Sequence, residues 1–397
     1  MHTRYIDLNV LQYFPASCLN RGAYNIPKSL MIGNTRRSTF SAQKQRRDVR
    51  LELDDVRDEP AARTRNLPPR VAAALRAAGW PDELADFAAG QVAYSAIPGG
   101  MATNADQHHR TQAMLLLPAR GSVEGLVRLC TEHRTVLEKA LAGCDEGPAK
   151  ARAKGSRARK DDVPALLPPA EVAAVLTART ATINLFGRML AGLDGADVTS
   201  AVQTAPAYTT HTSDLQEDYV LAQETWPNAG DKGGAFLDTA YLTTGVFYRY
   251  STVNLTDLIQ NLDGDLTEAL DLLAAYTHAF IQHVPQAKWS STAPHTLPAL
   301  VHYAVRDSRP LSYSAAFEQP IPPERTGGFL ASSLRALDEE AGEYDQLFGA
   351  EHRIGHGHAT IRYTAQHLGP RHPSFAALVA ACRQDADPTP TPAVEAA

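Results

Sequence analysis

The run Tyr241–Leu255, YLTTGVFYRYSTVNL, constrains the fold more than any other stretch of the chain. Its Thr, Val, Tyr and Phe residues favour extended backbone. A period of two sends Val246, Tyr248 and Tyr250 one way and Phe247 and Arg249 the other. Arg4–Tyr13 alternates as well, and this predicts a half-buried strand with Ile6, Leu8 and Val10 on one side and Asp7 and Asn9 on the other. LVHYAVRD predicts a further strand. Between and after these runs lie helical stretches: AALRAAG, ELADFAAGQVA, VEGLVRLCTEHRTVLEKAL, AEVAAVLTARTATINLFGRMLAGL, ALDLLAAYTHAFIQHV, LRALDEEAGEYDQLF and FAALVAACR. The order is strand, helix, helical insertion, strands, helix, strand. That order predicts an α+β sandwich with one sheet and two long insertions. No internal repeat suggests a solenoid.

At 397 residues, 44% of them hydrophobic, the chain can bury a substantial core. Its formal net charge is −6, so it is not a protein that coats nucleic acid by bulk charge. Against that acidic background, Gly33–Arg50 (GNTRRSTFSAQKQRRDVR) gathers Arg36, Arg37, Lys44, Arg46, Arg47 and Arg50 around a single acid, Asp48. Ser41 is placed to cap a helix running to about Leu53, on which Gln43, Arg46, Arg47 and Arg50 share a face. A second basic run, Cys144–Val163, holds Lys150, Arg152, Lys154, Arg157, Arg159 and Lys160 and predicts a flexible loop. It is either a solubilising linker or a loop that touches nucleic-acid phosphates. Four scattered cysteines without a CxxC pair predict free thiols in a reducing compartment. No apolar run approaches the roughly 20 residues that span a bilayer. A soluble, cytoplasmic protein without a membrane partner is expected.

Chemistry-bearing clusters are sparse. There is no phosphate-binding Gly-rich loop, no GxSxG and no HEXXH. His352, His356 and His358 in EHRIGHGHAT could place imidazoles on one side of a metal, but no neighbouring cysteine or carboxylate completes the shell. His108 and His109 invite a general-base role, and Asp214, Glu217 and Asp218 an acid cluster. Neither metal nor cofactor is expected, nor a catalytic residue. Recognition of an RNA backbone wants cations, small polar donors and surfaces for bases. Asn20, Arg21, Lys28, Arg36, Arg37, Ser41, Gln43, Arg46 and Arg47 supply the first two. Tyr248, Tyr250 and Met189 beside Arg188 could supply the third.

SCLNR (Ser17–Arg21), Gly33–Arg47, GRM (Gly187–Met189), a Thr/His-rich arm and Gly245–Leu255 follow one another in an order that resembles the CasC backbone subunit of type I-E CRISPR Cascade complexes, a RAMP-superfamily protein. The resemblance covers most of the chain and is vague only over about 60–180. It implies a modified RNA-recognition-motif (ferredoxin-like) palm, a helical fingers insertion and a protruding β thumb. The implied division is palm 1–57, fingers 58–182 with the 144–163 loop, palm 183–196, thumb 197–240, palm and C-terminal helices 241–383, and a disordered tail 384–397. By position, Lys28, Ser41, Gln43, Arg46 and Arg47 would hold guide-RNA phosphates. Arg188 and Met189 would sit where the guide kinks. Tyr219, Val220 and Leu237 would wedge beside a displaced base. The family's SSQ stands here as Ser41-Ala42-Gln43, and Val220 stands where the family usually has an aromatic. The implied partners are crRNA, target DNA through the guide, further copies in a hexameric filament, and the large, small, head and foot Cascade subunits. Two other readings compete. One is an RNA-cleaving or guide-processing member of the same superfamily using Asp214, Asp218 or His211. The other is a metal-dependent protein built on His352, His356 and His358.

Overall fold

A computed structural model describes residues 3–143, 165–190, 193, 195–223 and 234–389. The basic run with Lys150, Arg152, Lys154, Arg157, Arg159 and Lys160, and most of the expected disordered tail, lie outside the described residues. The described elements, in chain order, begin with β1 (Tyr5–Ser17), β2 (Ser29–Ile32), β3 (Thr35–Phe40), α1 (Ala42–Val56), β4 (Ala61–Thr64), α2 (Leu67–Ala77) and α3 (Asp82–Ser95). They continue through β5 (Thr103–Asn104), β6 (Arg110–Thr111), β7 (Leu115–Pro118), α4 (Ser122–Glu132), α5 (Arg134–Ala142), α6 (Pro169–Thr177) and α7 (Ala181–Phe186). The remainder is β8 (Val202–Thr204), β9 (Ala207–Thr209), β10 (Gln216–Gln223), β11 (Gly234–Asn254), α8 (Leu255–Asn261), α9 (Leu266–Gln282), α10 (Trp289–Thr292), β12 (Leu300–Arg306), α11 (Leu330–Phe348), β13 (Arg353–Thr360) and α12 (Phe375–Ala386).

The chain divides into two units, one made of Met1–Glu52 with Ala201–Ala397, the other of Leu53–Ser200. The first is α+β. Its sheet runs β13-β12-β1-β11-β9-β3-β2, with β8 and β10 also paired to β11, and the pairings are antiparallel. The Tyr241–Leu255 run is the inner part of β11, which sits at the middle of the sheet beside β1. Helix caps are local and orthodox. Ser41, Asn254, Asp265 and Ser374 each accept a first-turn amide at the start of α1, α8, α9 and α12.

The half-buried reading of β1 is corrected. Asp7, Asn9 and Gln12 are as buried as Ile6, Leu8 and Val10, because both faces of the sheet are covered. On one face Leu11, Val246 and Tyr248 pack with Tyr313, Phe317, Leu334 and Leu337 from the α11 side. On the other, Phe14, Phe40 and Phe247 form an edge-to-face cluster. The polar residues are satisfied in place. Asp7 accepts from Arg306 (3.2 Å), the Leu311 amide (2.9 Å) and Tyr250 (2.8 Å), and Asn9 accepts from Tyr248 (2.7 Å). Of the tyrosines offered for base stacking, Tyr248 is therefore inside the fold, only 1% exposed, and Tyr250 is half-buried with its hydroxyl committed to Asp7.

The second unit is mainly helical. Leu67, Val71, Leu75, Leu84, Val92, Leu126, Leu137 and Val172 form its core, to which Leu115 and Leu117 of the short β4–β7 pair also belong, and β5 pairs β6. Among the described residues no helix is long and apolar enough to cross a membrane, and Cys18, Cys130 and Cys382 are free and buried.

Candidate nucleic-acid interface

The basic stretch begins as a hairpin. Gly33 and Asn34 both take positive φ, 52° and 60°, so they form the tight turn that joins β2 to β3. Gly33 is required there, since an added Cβ would lie 2.2 Å from the Glu318 carbonyl oxygen. The strand period then separates two neighbouring arginines. Arg36 points outward and is exposed. Arg37 is fully buried and donates to the Thr209 carbonyl (3.0 Å), to the Phe317 and Glu318 carbonyls, and to the Thr35 hydroxyl. Arg37 is a bolt that ties β3 to β9 and to the Phe317–Glu318 backbone, which corrects its assignment as a phosphate ligand.

The loop before the hairpin is tied to the helix after it. The Asn20 side-chain oxygen accepts the Ser41 amide (3.0 Å), and the Asn20 carbonyl accepts the Lys28 amide (2.8 Å). Asn20 thus positions backbone, while Arg21 and Lys28 are exposed at its sides. Ser41 accepts the Lys44 amide (3.2 Å), which leaves its own O–H free to donate outward. On α1 the exposed stripe is Gln43, Arg47 and Leu51. Arg46 is rolled towards the sheet. Its Nη1 donates to the Val202 carbonyl (2.8 Å), and burial lowers its pKa from the usual guanidinium value. Lys44 pairs with the buried Asp48 carboxylate, and Arg47 lies 3.4 Å from its other oxygen with 62% of its own side chain exposed. Within this unit, Arg21, Lys28, Arg36, Gln43 and Arg47 offer outward groups along one stretch of chain.

In the second unit, Gly187 has φ +76° and an added Cβ would clash with Val198 and Ser200 backbone. The following residue, Arg188, is 5% exposed. Its guanidinium donates to the carbonyls of Ala196 (2.7 Å), Leu116, Leu176, Thr177 and Ala178. It too is structural, contrary to the expectation that it meets the guide. Met189 beside it is 87% exposed, held between bolted Arg188 and the Leu190 amide, which donates to Asp197 (2.7 Å).

The arm is the hairpin of β10 with the outer half of β11. Leu221 pairs Leu237, Tyr219 pairs Thr239 and Ala222 pairs Phe236. Alternation puts Tyr219, Leu221 and Leu237 on one face, and Val220 with Phe236 on the other. Tyr219, Val220 and Leu237 therefore do not share a face. Leu221 and Phe236 are not singled out from the sequence, though the period-two spacing of Leu221 from Tyr219 is readable there. All five are at least 42% exposed, so the arm carries apolar side chains that its own fold does not bury. Asp214, Glu217 and Asp218 are exposed along its base.

Several of the candidate histidines are engaged, although His356 Nδ1 and His358 Nε2 are buried without a hydrogen-bond partner. His211 Nδ1 lies 2.8 Å from the Thr212 carbonyl, Nε2 accepts the Val246 amide at 3.2 Å, and its ring stacks on Phe329. His358 Nδ1 faces the Leu368 and Gly369 carbonyls, and His352 faces Asp307 at 3.1 Å. His108 is exposed beside Asp86. Among the described residues there is no group of three or more His, Cys, Asp or Glu side chains arranged to hold a metal ion.

Comparison with known proteins agrees with this geometry. The family model described as CT1975-like protein matches residues 6–380. A solved chain from a "CRISPR RNA-guided surveillance complex, pre-nicking" is 31% identical to this one, with 96% of this chain and 100% of that chain covered and a TM-score of 0.86. A second, from a "CRISPR RNA-guided surveillance complex", is 29% identical over 96% of this chain and 99% of its own, with a TM-score of 0.75. No curated protein matches. The α+β sheet and the helical second unit thus belong to a known lineage: this chain is a member of the CT1975-like family and shares its fold with chains of CRISPR RNA-guided surveillance complexes.

Proposed function

We propose that this protein is the guide-RNA-binding backbone subunit of a type I-E Cascade-like surveillance complex. Copies pack head to tail along the crRNA, a heterologous contact that builds a helical filament. Each copy holds phosphates with Arg21, Lys28, Arg36 and Arg47 and with the Ser41 and Gln43 side chains. The sheet unit acts as the palm, the helical unit as the fingers and the β10–β11 hairpin as the thumb. The thumb's Tyr219, Leu221 and Leu237 displace one base at regular intervals, Met189 packs at the kink, and the bases between kinks are free to pair with target DNA. Sequence reading is left to base pairing, and phosphate contacts suit a variable spacer because they carry no sequence information.

The observation that carries this reading is the outward row Arg21, Lys28, Arg36, Gln43 and Arg47 in a chain that is 31% identical, over nearly its whole length, to one from an RNA-guided complex. The role is scaffolding. His211, the best base for a cleaving relative, has both ring nitrogens engaged by backbone, and Asp214 and Asp218 are solvated. The test is co-purification of the full chain with its partner subunits, followed by sizing of bound RNA. A uniform guide-sized RNA is expected, and binding should be independent of spacer sequence. Bound RNA of heterogeneous length, or regular cuts in complementary RNA with Mg²⁺, would overturn the scaffold.

A further inference from the structure

Where β9 runs beside β11, Phe247 pairs Thr209 and Tyr248 pairs Tyr208. The Thr210 amide still donates to the Val246 carbonyl (2.9 Å). The Val246 amide, however, does not go to a carbonyl of the neighbouring strand. It donates to His211 Nε2 (3.2 Å). An imidazole thus replaces a backbone acceptor and ends the pairing at the point where the chain turns out into the arm. The ring is 3% exposed, stacked 3.6 Å from Phe329, and seated against Gly245, where an added Cβ would stand 2.6 Å from Nε2. On its other edge the segment, already paired with β3 at Tyr208 and Ala207, keeps that partner two residues on. The Ser213 amide donates to the Arg36 carbonyl (3.0 Å), and the Ser213 and Ser38 hydroxyls are 2.8 Å apart. The same segment therefore leaves β11 while it stays beside β3, the strand that carries Arg36. It regains β11 only at Gln216 opposite Leu242.

We propose that His211 is a positioning residue that sets the direction in which the arm leaves the sheet, and so registers the displaced base against the phosphates held beside Arg36. The inference rests on the reading of the arm as base-displacing. With one nitrogen accepting and the other donating, the neutral ring clamps the outgoing strand to the returning one at Gly245–Val246. Without it, the Val246 amide has no acceptor and the arm's root has one tie fewer to β11, while the phosphate-holding side chains are untouched.

The test uses the full chain assembled on a guide RNA carrying 2-aminopurine at successive positions, since that base brightens when unstacked. The wild-type chain is expected to give regularly spaced bright positions. His211→Ala should lose the brightness at those positions while guide affinity stays within about threefold, because affinity comes mainly from phosphates. His211→Gln, whose amide oxygen can accept the Val246 amide, should restore it. Gly245→Ala, which pushes on the ring from the opposite side, should lose it as His211→Ala does. A bright pattern in wild type that is unchanged in His211→Ala overturns this inference alone. Loss of guide binding together with brightness in the Ala variant, without recovery in the folded Gln variant, also overturns it, since His211 would then be ordinary core. A wild-type chain with no bright positions overturns the base-displacing reading itself.

Discussion

Replacing single arginines in the basic hairpin should separate cations that grip RNA from cations that hold the fold. Arg21, Lys28, Arg36 and Arg47 are exposed, whereas Arg37 is buried against carbonyls. On single-stranded RNA each neutralised phosphate contributes about −0.7 to the slope of log K against log salt. If each exposed cation meets one phosphate, one copy has a slope of about −2.8, and its affinity falls roughly 50-fold between 50 and 200 mM salt. Arg47→Gln removes one contact, so the slope should shrink to about −2.1 and the fall to roughly 20-fold. Arg37→Gln should leave the slope near −2.8 and instead lower stability by about 1–3 kcal/mol for each buried carbonyl left without its donor. Fluorescence anisotropy of a short labelled single strand, titrated with the full chain at several salt concentrations, reads the slopes. Urea unfolding reads the stability. An unchanged slope in Arg47→Gln, or a reduced slope in a folded Arg37→Gln, would refute the division of roles drawn from burial.

Arg188→Met should unfold the chain at markedly lower urea, by about 3–5 kcal/mol, because five carbonyls lose a charged donor. Met189→Ala, one residue along, should leave the unfolding midpoint in place, and a comparable loss in both would refute the contrast. Arg306→Met strands the Asp7 carboxylate, 0% exposed, and should cost about 3–5 kcal/mol, whereas replacing both partners by apolar residues should cost less; thermal melts of the three variants check this. Acid should weaken the fold before the carboxylates titrate. Burial first, then nearby arginines and histidines, lowers the pKa of His302 and His356, the latter to about 4, and burial with Arg249 and Lys44 lowers that of His283. The unfolded chain binds these protons near the ordinary value of about 6.5, so their stabilisation is complete above that pH and is lost as pH falls towards 4. Urea midpoints that stay level or rise between pH 7 and pH 5 would contradict this.

Much of the fold was local and therefore legible. The β11 core, β12, α9, α11 and α12 lie where period and caps put them, since β-branched alternation and side-chain acceptors such as Ser41 act within a few residues. The Gly33-Asn34 hairpin was also readable, as a glycine–asparagine pair between two strand-like runs, but the density of charge around it masked the signal. Other features were not local. Asp7 and Asn9 obey the alternation of a half-solvated strand, yet α11 and the segment before it cover that face, and their partners come from elsewhere in the chain: Arg306 from β12, Tyr248 and Tyr250 from β11, and the Leu311 amide from the segment before α11.

The sequence by itself determined that a basic stretch sits between a strand and a capped helix in an acidic α+β chain, because charge and local propensity are properties of neighbours along the chain. Which of those cations faces water was decided by the tertiary structure. Arg36 and Arg37, and likewise Arg188 and Met189, are adjacent in sequence and opposite in fate. The reason is that a guanidinium becomes a bolt only where distant carbonyls converge on it, at Thr209 and Phe317 for Arg37 and at Thr177 and Ala196 for Arg188, and only the folded chain brings those carbonyls together.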